Sequence, residues 1–312
     1  MNPRVADRAG RAPPRHAAEL VLPEGWCQRW RHGRHSFVPR SAGGFRSEHY
    51  SVEPVDVATA RGFVATHHYA ASWVVDRYRL GLFHTAGGTP NLIGVAVFGI
   101  PMSKKVLTNP LPDWEPYVQT LELSRFVILG DPQHPGATPG VAPANIESWF
   151  LARCFEHLAA RDVRGIVAFS DPIPRTVGDR MVMPGHAGII YQASNAVYTG
   201  QGTARTVIML PDGTSLPARA VSKIRRAERG HTAVERRLIA LGAPARIGPD
   251  PGAWIRDALV SIGATPIAHP GNHRFVMATA ARFRRRMRIA LPAMPYPKPT
   301  CLPGAPWCRG RP

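Results

Sequence analysis

The chain of 312 residues is long enough for one sizeable core with extensions, and its 44% hydrophobic and 8% aromatic content is that of a globular protein, neither fibrous nor wholly disordered. No run approaches the roughly eighteen apolar residues of a membrane span, and the charged, proline-bearing segment 1–14 has no apolar stretch of a secretory signal, which predicts a cytoplasmic protein with no membrane partner. The net charge of +18 predicts attraction to a polyanion, nucleic acid above all.

Arg far outnumbers Lys, which suits phosphate and guanine contacts and is also what GC-rich coding produces. Cys27, Cys154, Cys301 and Cys308 form no CxxC pair, so reduced thiols are predicted and a thiolate zinc site is not.

Taken in order, segment 1–48 reads as a basic arm, partly disordered. Its Trp26, Trp30 and Phe37 alternate with Arg29, Arg31, His32, Arg34, His35 and Arg40. Such interleaving can track a phosphate backbone while stacking on bases; it equally suits an arm packed on a body with its charges in water.

Segment 49–215 has the pattern of an α/β domain. Tyr50–Val57 reads as an edge strand, and Val57–Tyr69 as a helix with Val57, Ala60 and Val64 on one side. It ends in His67-His68-Tyr69. Adjacent histidines diverge on any regular element, so at most one faces a site, and a surface or core role is the commoner fate of each. Arg79–Phe83 and Leu92–Phe98 make a hairpin across a Gly-Gly turn.

Leu121–Leu129 is a third strand, closed by the Gly and Pro residues of 130–143. Asn145 reads as the N-cap of a long helix whose Trp149, Cys154, Phe155 and Leu158 share a face. Ile166–Phe169 is the next strand, expected parallel to the third through a right-handed crossover, and it ends in Ser170-Asp171-Pro172. Ligands of open α/β sheets sit beyond the carboxyl ends of the strands, which makes Ser170 and Asp171 site candidates. A loop with Gly185-His186 leads to an ordered segment, Ile189–Asn195, and Arg205–Leu210 is one more strand.

Segment 216–290 reads as a basic C-terminal extension. Arg219–Leu241 is helical, split at Gly230, and carries Arg219, Lys223, Arg225, Arg226, Arg229, Arg236 and Arg237 over sparse apolar positions. It is a DNA-contacting helix pair, with Arg225, Arg226 and Arg229 as phosphate candidates, or two solvated surface helices. Trp254–Ile262 is a further helix. His269-Pro-Gly-Asn-His273 precedes a last strand, Arg274–Met277, and an Arg cluster from Arg282 to Arg288 follows. The Pro-rich tail 291–312 is expected to be disordered.

The succession of hairpin, third strand, long helix, fourth strand, loop and further strand resembles the GCN5-related N-acetyltransferase (GNAT) fold, a mixed sheet flanked by helices. The resemblance implies that the loop before the long helix binds the pyrophosphate of an acyl-coenzyme A, with Asn145, Glu147 and Ser148 at the helix start. Segment 130–145 supplies glycines but not the usual Gln/Arg-x-x-Gly-x-Gly/Ala signature.

A more specific resemblance lies in several phrases read in order: His67-His68-Tyr69, Glu122-Leu-Ser-Arg-Phe126, Glu147-Ser-Trp-Phe-Leu-Ala-Arg-Cys154, Phe169-Ser-Asp-Pro172, Gly185-His186, Tyr191-Gln-Ala-Ser-Asn195 and His269-Pro-Gly-Asn-His273. Spanning about Glu24 to Phe275, they resemble the Mom family of phage DNA-modification proteins, its actinobacterial and actinophage branch in particular. That resemblance implies conversion of adenine N6 in double-stranded DNA to N6-methylcarbamoyladenine, which shields DNA from restriction endonucleases. It also implies acetyl-CoA as a donor and an iron requirement; His68 and Tyr69, with Asp171 as a third, are the candidate ligands, and all three are also candidate catalytic residues.

The residues fit that chemistry in named ways. Adenine N6 is a weak nucleophile because its lone pair is delocalised, so a site needs a proton acceptor and a well-placed electrophile. Asp171 is the candidate general base or amine orienter, or else a cap for its own turn before Pro172. Reaching N6 requires flipping the base out; Tyr191 is placed to stack on it, and Gln192 or Asn195 to read it or else to brace the loop. Ser124 and Arg125 lie on the strand flanking the donor, where Arg125 suits a phosphate or carboxylate, or a structural pair with Glu122. Acetyl transfer alone would give N6-acetyladenine, so the methylcarbamoyl product needs a nitrogen that an acetyl group lacks. Two other readings share these features: a GNAT acyltransferase acting on a small amine or protein, and a non-enzymatic DNA-binding protein.

Overall fold

The computed structural model describes residues 26–31, 34–39, 47–68, 72–86, 88–129, 146–183 and 185–297, with the backbone alone for 26–31, 34–39, 176 and 180–183. Tyr69, Asn145 and the loop between 130 and 145 lie outside the described residues. The chain divides into two units, 1–44 and 45–312. In the first, β1 (Trp26–Arg31) and β2 (Arg34–Pro39) form an antiparallel hairpin.

The second unit opens with β3 (Tyr50–Pro54) and α1 (Val57–His67). Asp56 caps α1 by accepting the Thr59 N–H at 2.9 Å, one of the orphan donors of a helix start. The hairpin of β4 (Asp76–His84) and β5 (Asn91–Gly99) follows, then the short α2 (Lys105–Thr108), β6 (Thr120–Ile128), α3 (Ile146–Ala159) and β7 (Gly165–Ser170). A small ribbon, β8 (Arg175–Val177) with β9 (Arg180–Met183), leads to α4 (Ile189–Ala193) and β10 (Val197–Gln201). The remaining elements are β11 (Arg205–Met209), β12 (Ser215–Leu216), α5 (Ala218–Arg225), α6 (His231–Ala240), α7 (Pro251–Ser261), β13 (Thr265–His269), β14 (His273–Ala278) and α8 (Ala281–Arg284).

Seven strands form one sheet in the order β10-β14-β7-β6-β5-β4-β3, antiparallel throughout except for β6 and β7. The parallel pair flanks α3, as the crossover expectation required, and β3 is the edge strand expected there. The order and directions are those of the GNAT-like mixed sheet read from the sequence. Both faces are covered, which is why β5 is apolar almost without alternation. On one face α3 buries Ile146, Phe150, Leu151, Cys154 and Leu158 against Leu121, Leu123, Ile166, Ala168 and Phe275. Each Leu, Ile or Phe side chain among them contributes about 1.5–3 kcal/mol by leaving water. On the other face Ala60 and Val64 of α1 meet Val95, Val97 and Val127, and Leu107, Leu111, Trp114 and Phe283 meet Val167 and Val276.

Two local departures shape the site. In the β5–β6 ladder Val97 pairs with Arg125 and Phe98 with Leu123, leaving Ser124 as an extra, bulged residue. The bulge shifts the side-chain alternation, so Leu121 and Leu123 before it and Phe126 and Ile128 after it all join the core under α3. The β6–β7 pairing ends at Leu123 opposite Ala168, and beyond that point no strand among the described residues lies on that edge of β6.

The structure adds to the sequence reading in two places and departs from it in a third. Ile189–Asn195 contains a short helix, α4, and Asn195 follows it in the left-handed conformation with φ of 57°. Strands β10 and β13 were not foreseen. The division at 216 also cuts across the main sheet, because β14, read as part of an extension, lies between β7 and β10. What does stand apart is a smaller layer, the sheet β12-β11-β13 with α5, α6 and α7, built on its own core of Leu210, Leu216, Val221, Ile224, Leu238, Trp254 and Ile255.

Candidate active site

The carboxyl end of β7 gathers the polar groups. Ser170, its last residue, is 5% exposed and its hydroxyl has no hydrogen-bond partner among the described residues. Asp171 follows, 6% exposed. Its Oδ1 accepts the Ile173 N–H at 3.0 Å, which caps the turn over Pro172, and also faces His269 Nε2 at 2.9 Å. Its Oδ2 is paired with the Arg175 guanidinium. The Asp171 carbonyl accepts the His186 N–H at 2.7 Å, tying in the Gly185-His186 loop. Gly185 has φ of 78°, and a Cβ there would come within 2.5 Å of the Pro172 carbonyl, so the loop can approach this closely only with glycine.

Burial alone would raise the Asp171 carboxyl, but the Ile173 N–H, the Arg175 charge and His269 outweigh it and hold the group below the usual carboxylate range. Asp171 is therefore ionised at neutral pH and a poor proton acceptor. A carboxylate offers about four lone-pair positions. Among the described residues three are in use, which leaves one for a further donor such as an amine N–H.

Beside it, His273 is the cross-strand partner of Ser170, so the two side chains rise from the same face of the sheet. His273 Nδ1 lies 2.9 Å from the Tyr198 hydroxyl. Burial pushes the His273 imidazole below its ordinary value, partly offset by the Asp171 charge, so the ring is neutral at pH 7. Burial likewise pushes the Tyr198 phenol up. Tyr191 and Tyr198 both pack on the Phe275 ring, with centroids 5.1 and 5.3 Å away. Gly188, at φ of 70°, makes room for that ring, since a Cβ would stand 2.4 Å from it.

The other sequence candidates are dispersed around this centre. Tyr191 is mostly buried in α4. Gln192 donates its amide to the Ala187 and Pro297 carbonyls at 2.8 and 3.3 Å, which braces the loop, and Asn195 is an exposed turn residue. Ser124 occupies the bulge of β6, where its hydroxyl lies 3.4 Å from the Glu122 carbonyl. Arg125 donates to the Ser72 carbonyl and hydroxyl at 3.0 and 2.9 Å and to the Ser124 carbonyl at 2.6 Å, pinning the segment after α1 to the bulge. Burial raises the neighbouring Glu122 carboxyl, opposed by the Arg125 charge. His68 is buried at the end of α1, and Glu147 and Ser148 are half-buried in the first turn of α3.

In the smaller layer, Arg225 ends α5 and Arg229 lies in the turn before α6, both exposed. Arg226 is 3.9 Å from Glu228, which also pairs with Arg219. Among the described residues no three His, Cys, Asp or Glu side chains are placed to hold a metal ion. Tyr69, the second ligand expected for iron, lies outside the described residues, so the His68/Tyr69 pair is not described. Beyond Leu123 that edge of β6 pairs with no strand among the described residues, and strand backbone of this kind suits the extended amide chain of an acyl-coenzyme A.

Arg175, Tyr198, His269 and His273 were not singled out as site residues from the sequence. The only signal was the phrase His269-Pro-Gly-Asn-His273, and nothing in it said that it would close on Asp171, 98 residues earlier.

A model of the Mom protein family matches residues 49–298. None of the curated proteins matches the chain. Among solved structures, a tandem GNAT protein from the clavulanic acid biosynthesis pathway, without AcCoA, is similar over 77% of this chain and 72% of that one, at 10% identity and a TM-score of 0.30. So loose an overlap adds no argument to the strand order described above.

Proposed function

The chain belongs to the Mom protein family, and we propose that it is a DNA-modifying transferase that converts adenine N6 in duplex DNA to N6-methylcarbamoyladenine, shielding that DNA from restriction endonucleases. The observation that supports this most is the buried polar cluster of Ser170, Asp171 and His273 at the carboxyl end of β7, beside the point where β6 and β7 part. Open α/β sheets bind their ligands in that position.

In this reading the adenine is flipped from the duplex and its purine ring rests against Tyr191 and Tyr198, which Phe275 backs from the core. Asp171 offers its remaining acceptor position to the exocyclic amine, fixing the direction in which N6 faces the donor. It acts as an ionised orienter, because Arg175, Ile173 and His269 keep its proton affinity low. The backbone of β6 beyond Ser124, with Glu147 and Ser148 at the start of α3, would hold an acyl-coenzyme A. When bound, that group would supply an activated carbonyl; acetyl transfer alone leaves the product one nitrogen short, so the methylcarbamoyl group also requires a nitrogen-donating co-reactant. Arg225 and Arg229, with Arg226 beside them, contact phosphates of the duplex and set no sequence preference.

The experiment is mass spectrometry of nucleosides from the DNA of cells expressing the protein. A methylcarbamoylated deoxyadenosine is expected. Unmodified nucleosides from cells that contain folded protein would overturn the reading in favour of an acyltransferase with another acceptor, or of DNA binding without chemistry.

A further inference from the structure

The structure assigns to His269 the part of a positioning residue, an imidazole that aims the Asp171 carboxylate through Nε2 and holds it in one orientation. This rests on the reading of Asp171 as the amine orienter. His269 ends β13, is 3% exposed, and reaches Asp171 Oδ1 through Nε2 at 2.9 Å. Its other nitrogen, Nδ1, accepts the Gly271 N–H at 3.0 Å. An imidazole nitrogen that accepts from an amide carries no proton, so in the neutral ring the proton sits on Nε2 and is donated to Asp171.

The backbone builds that donor in. Gly271 has φ of 100°, and a Cβ there would stand 2.1 Å from the Gly202 carbonyl oxygen, so the chain comes closer here than any side chain permits. The Gly202 N–H in turn donates to the Asn272 carbonyl at 2.8 Å, and Arg205 donates to the Asn272 side chain at 3.3 Å. The loop from His269 to His273 is thereby held from both sides, and with it the imidazole. Arg175 supplies charge to Oδ2, but a guanidinium on a flanking ribbon fixes one oxygen only; His269 and the Ile173 N–H fix the other. The charged or titratable groups acting on Asp171 are therefore Arg175, His269 and, across the strand, His273.

The test uses the full chain and two variants. His269→Gln keeps a donor of similar reach, and His269→Met fills the volume without one. With the parent active, His269→Met is expected to slow adenine modification about 10- to 100-fold at unchanged duplex affinity, and His269→Gln to recover most of that rate. A role in packing alone would move both variants together, which would overturn the assignment. Two readouts need no activity. Carboxyl NMR should show the Asp171 midpoint rising in His269→Met and staying low in His269→Gln; equal midpoints would refute the proposal. In the parent protein, imidazole nitrogen NMR should find the His269 proton on Nε2, and a proton on Nδ1 at neutral pH would refute it even if neither variant folds. A parent that modifies no adenine defeats the functional reading instead, and leaves the NMR results to decide the role of His269.

Discussion

Asp171 and His273 both hold their protons less tightly in the folded chain than their residue types do in water, and the sign of that difference dictates a response to acid. A group with a depressed folded value takes up its proton first in the unfolded chain, so its contribution is full above the ordinary value and is lost as pH falls through the folded one. For His273 the loss begins as pH drops below about 6.5, and for Asp171 below about 4. The melting temperature should therefore fall in two stages on acidification. His273→Asn is expected to remove the upper stage and Asp171→Asn the lower, read from melting curves across the pH range. A parent whose melting temperature is flat from pH 7 to 5 would contradict the first assignment. Asp171 itself was legible in the sequence, because a polar residue directly after a buried strand is a recognisable pattern. Its partners were only partly so: Arg175 lies four residues on, whereas His269 is brought in by pairings that no local pattern encodes.

At the level of elements, legibility followed length and periodicity. The long helix α3 was visible because its apolar residues recur at helical spacing, and the β4–β5 hairpin because two apolar runs flank a Gly-Gly turn. Ile189-Ile-Tyr-Gln-Ala is a short apolar run that period alone does not assign, and it turns out helical behind the left-handed Gly188. Strand β10, Val-Tyr-Thr-Gly-Gln, has too few apolar residues to declare itself and exists through its pairing with β14. The basic helices were visible, but not the core that makes them a layer. Ile224 is fully buried in that core, away from the core beneath α3. Ile224→Ala should cost about 2–5 kcal/mol. Hydrogen exchange should then quicken in α5, α6 and α7 while β5, β6 and β7 keep their protection; uniform loss across the chain would mean the two cores unfold as one.

For the molecule as a whole, the surplus of positive charge becomes a measurable quantity only through its salt dependence. If Arg225 and Arg229 each neutralise a phosphate, replacing both with Gln should reduce the slope of log affinity against log salt by about 0.9 per lost contact. The loss should be the same for any duplex sequence. An unchanged slope would return those residues to the solvated surface, the alternative left open by the sequence.

The position of β14 has a consequence for how the protein is made. It is the last strand in chain order among the described residues, yet it pairs along the whole of β7, from Gly165 to Ser170, and separates it from β10. A ribosome therefore delivers β7 with one edge bare, and that edge waits until β14 has emerged. Unpaired strand edges are templates for other chains, so the interval before β14 arrives is the period of greatest exposure to aggregation. A fragment of residues 49–215, cut where composition suggests a boundary, lacks Phe275, Val276 and Met277 from the cores on both faces of the sheet. It should be insoluble when expressed alone, and supplying residues 216–297 as a separate chain in the same cell should restore soluble protein.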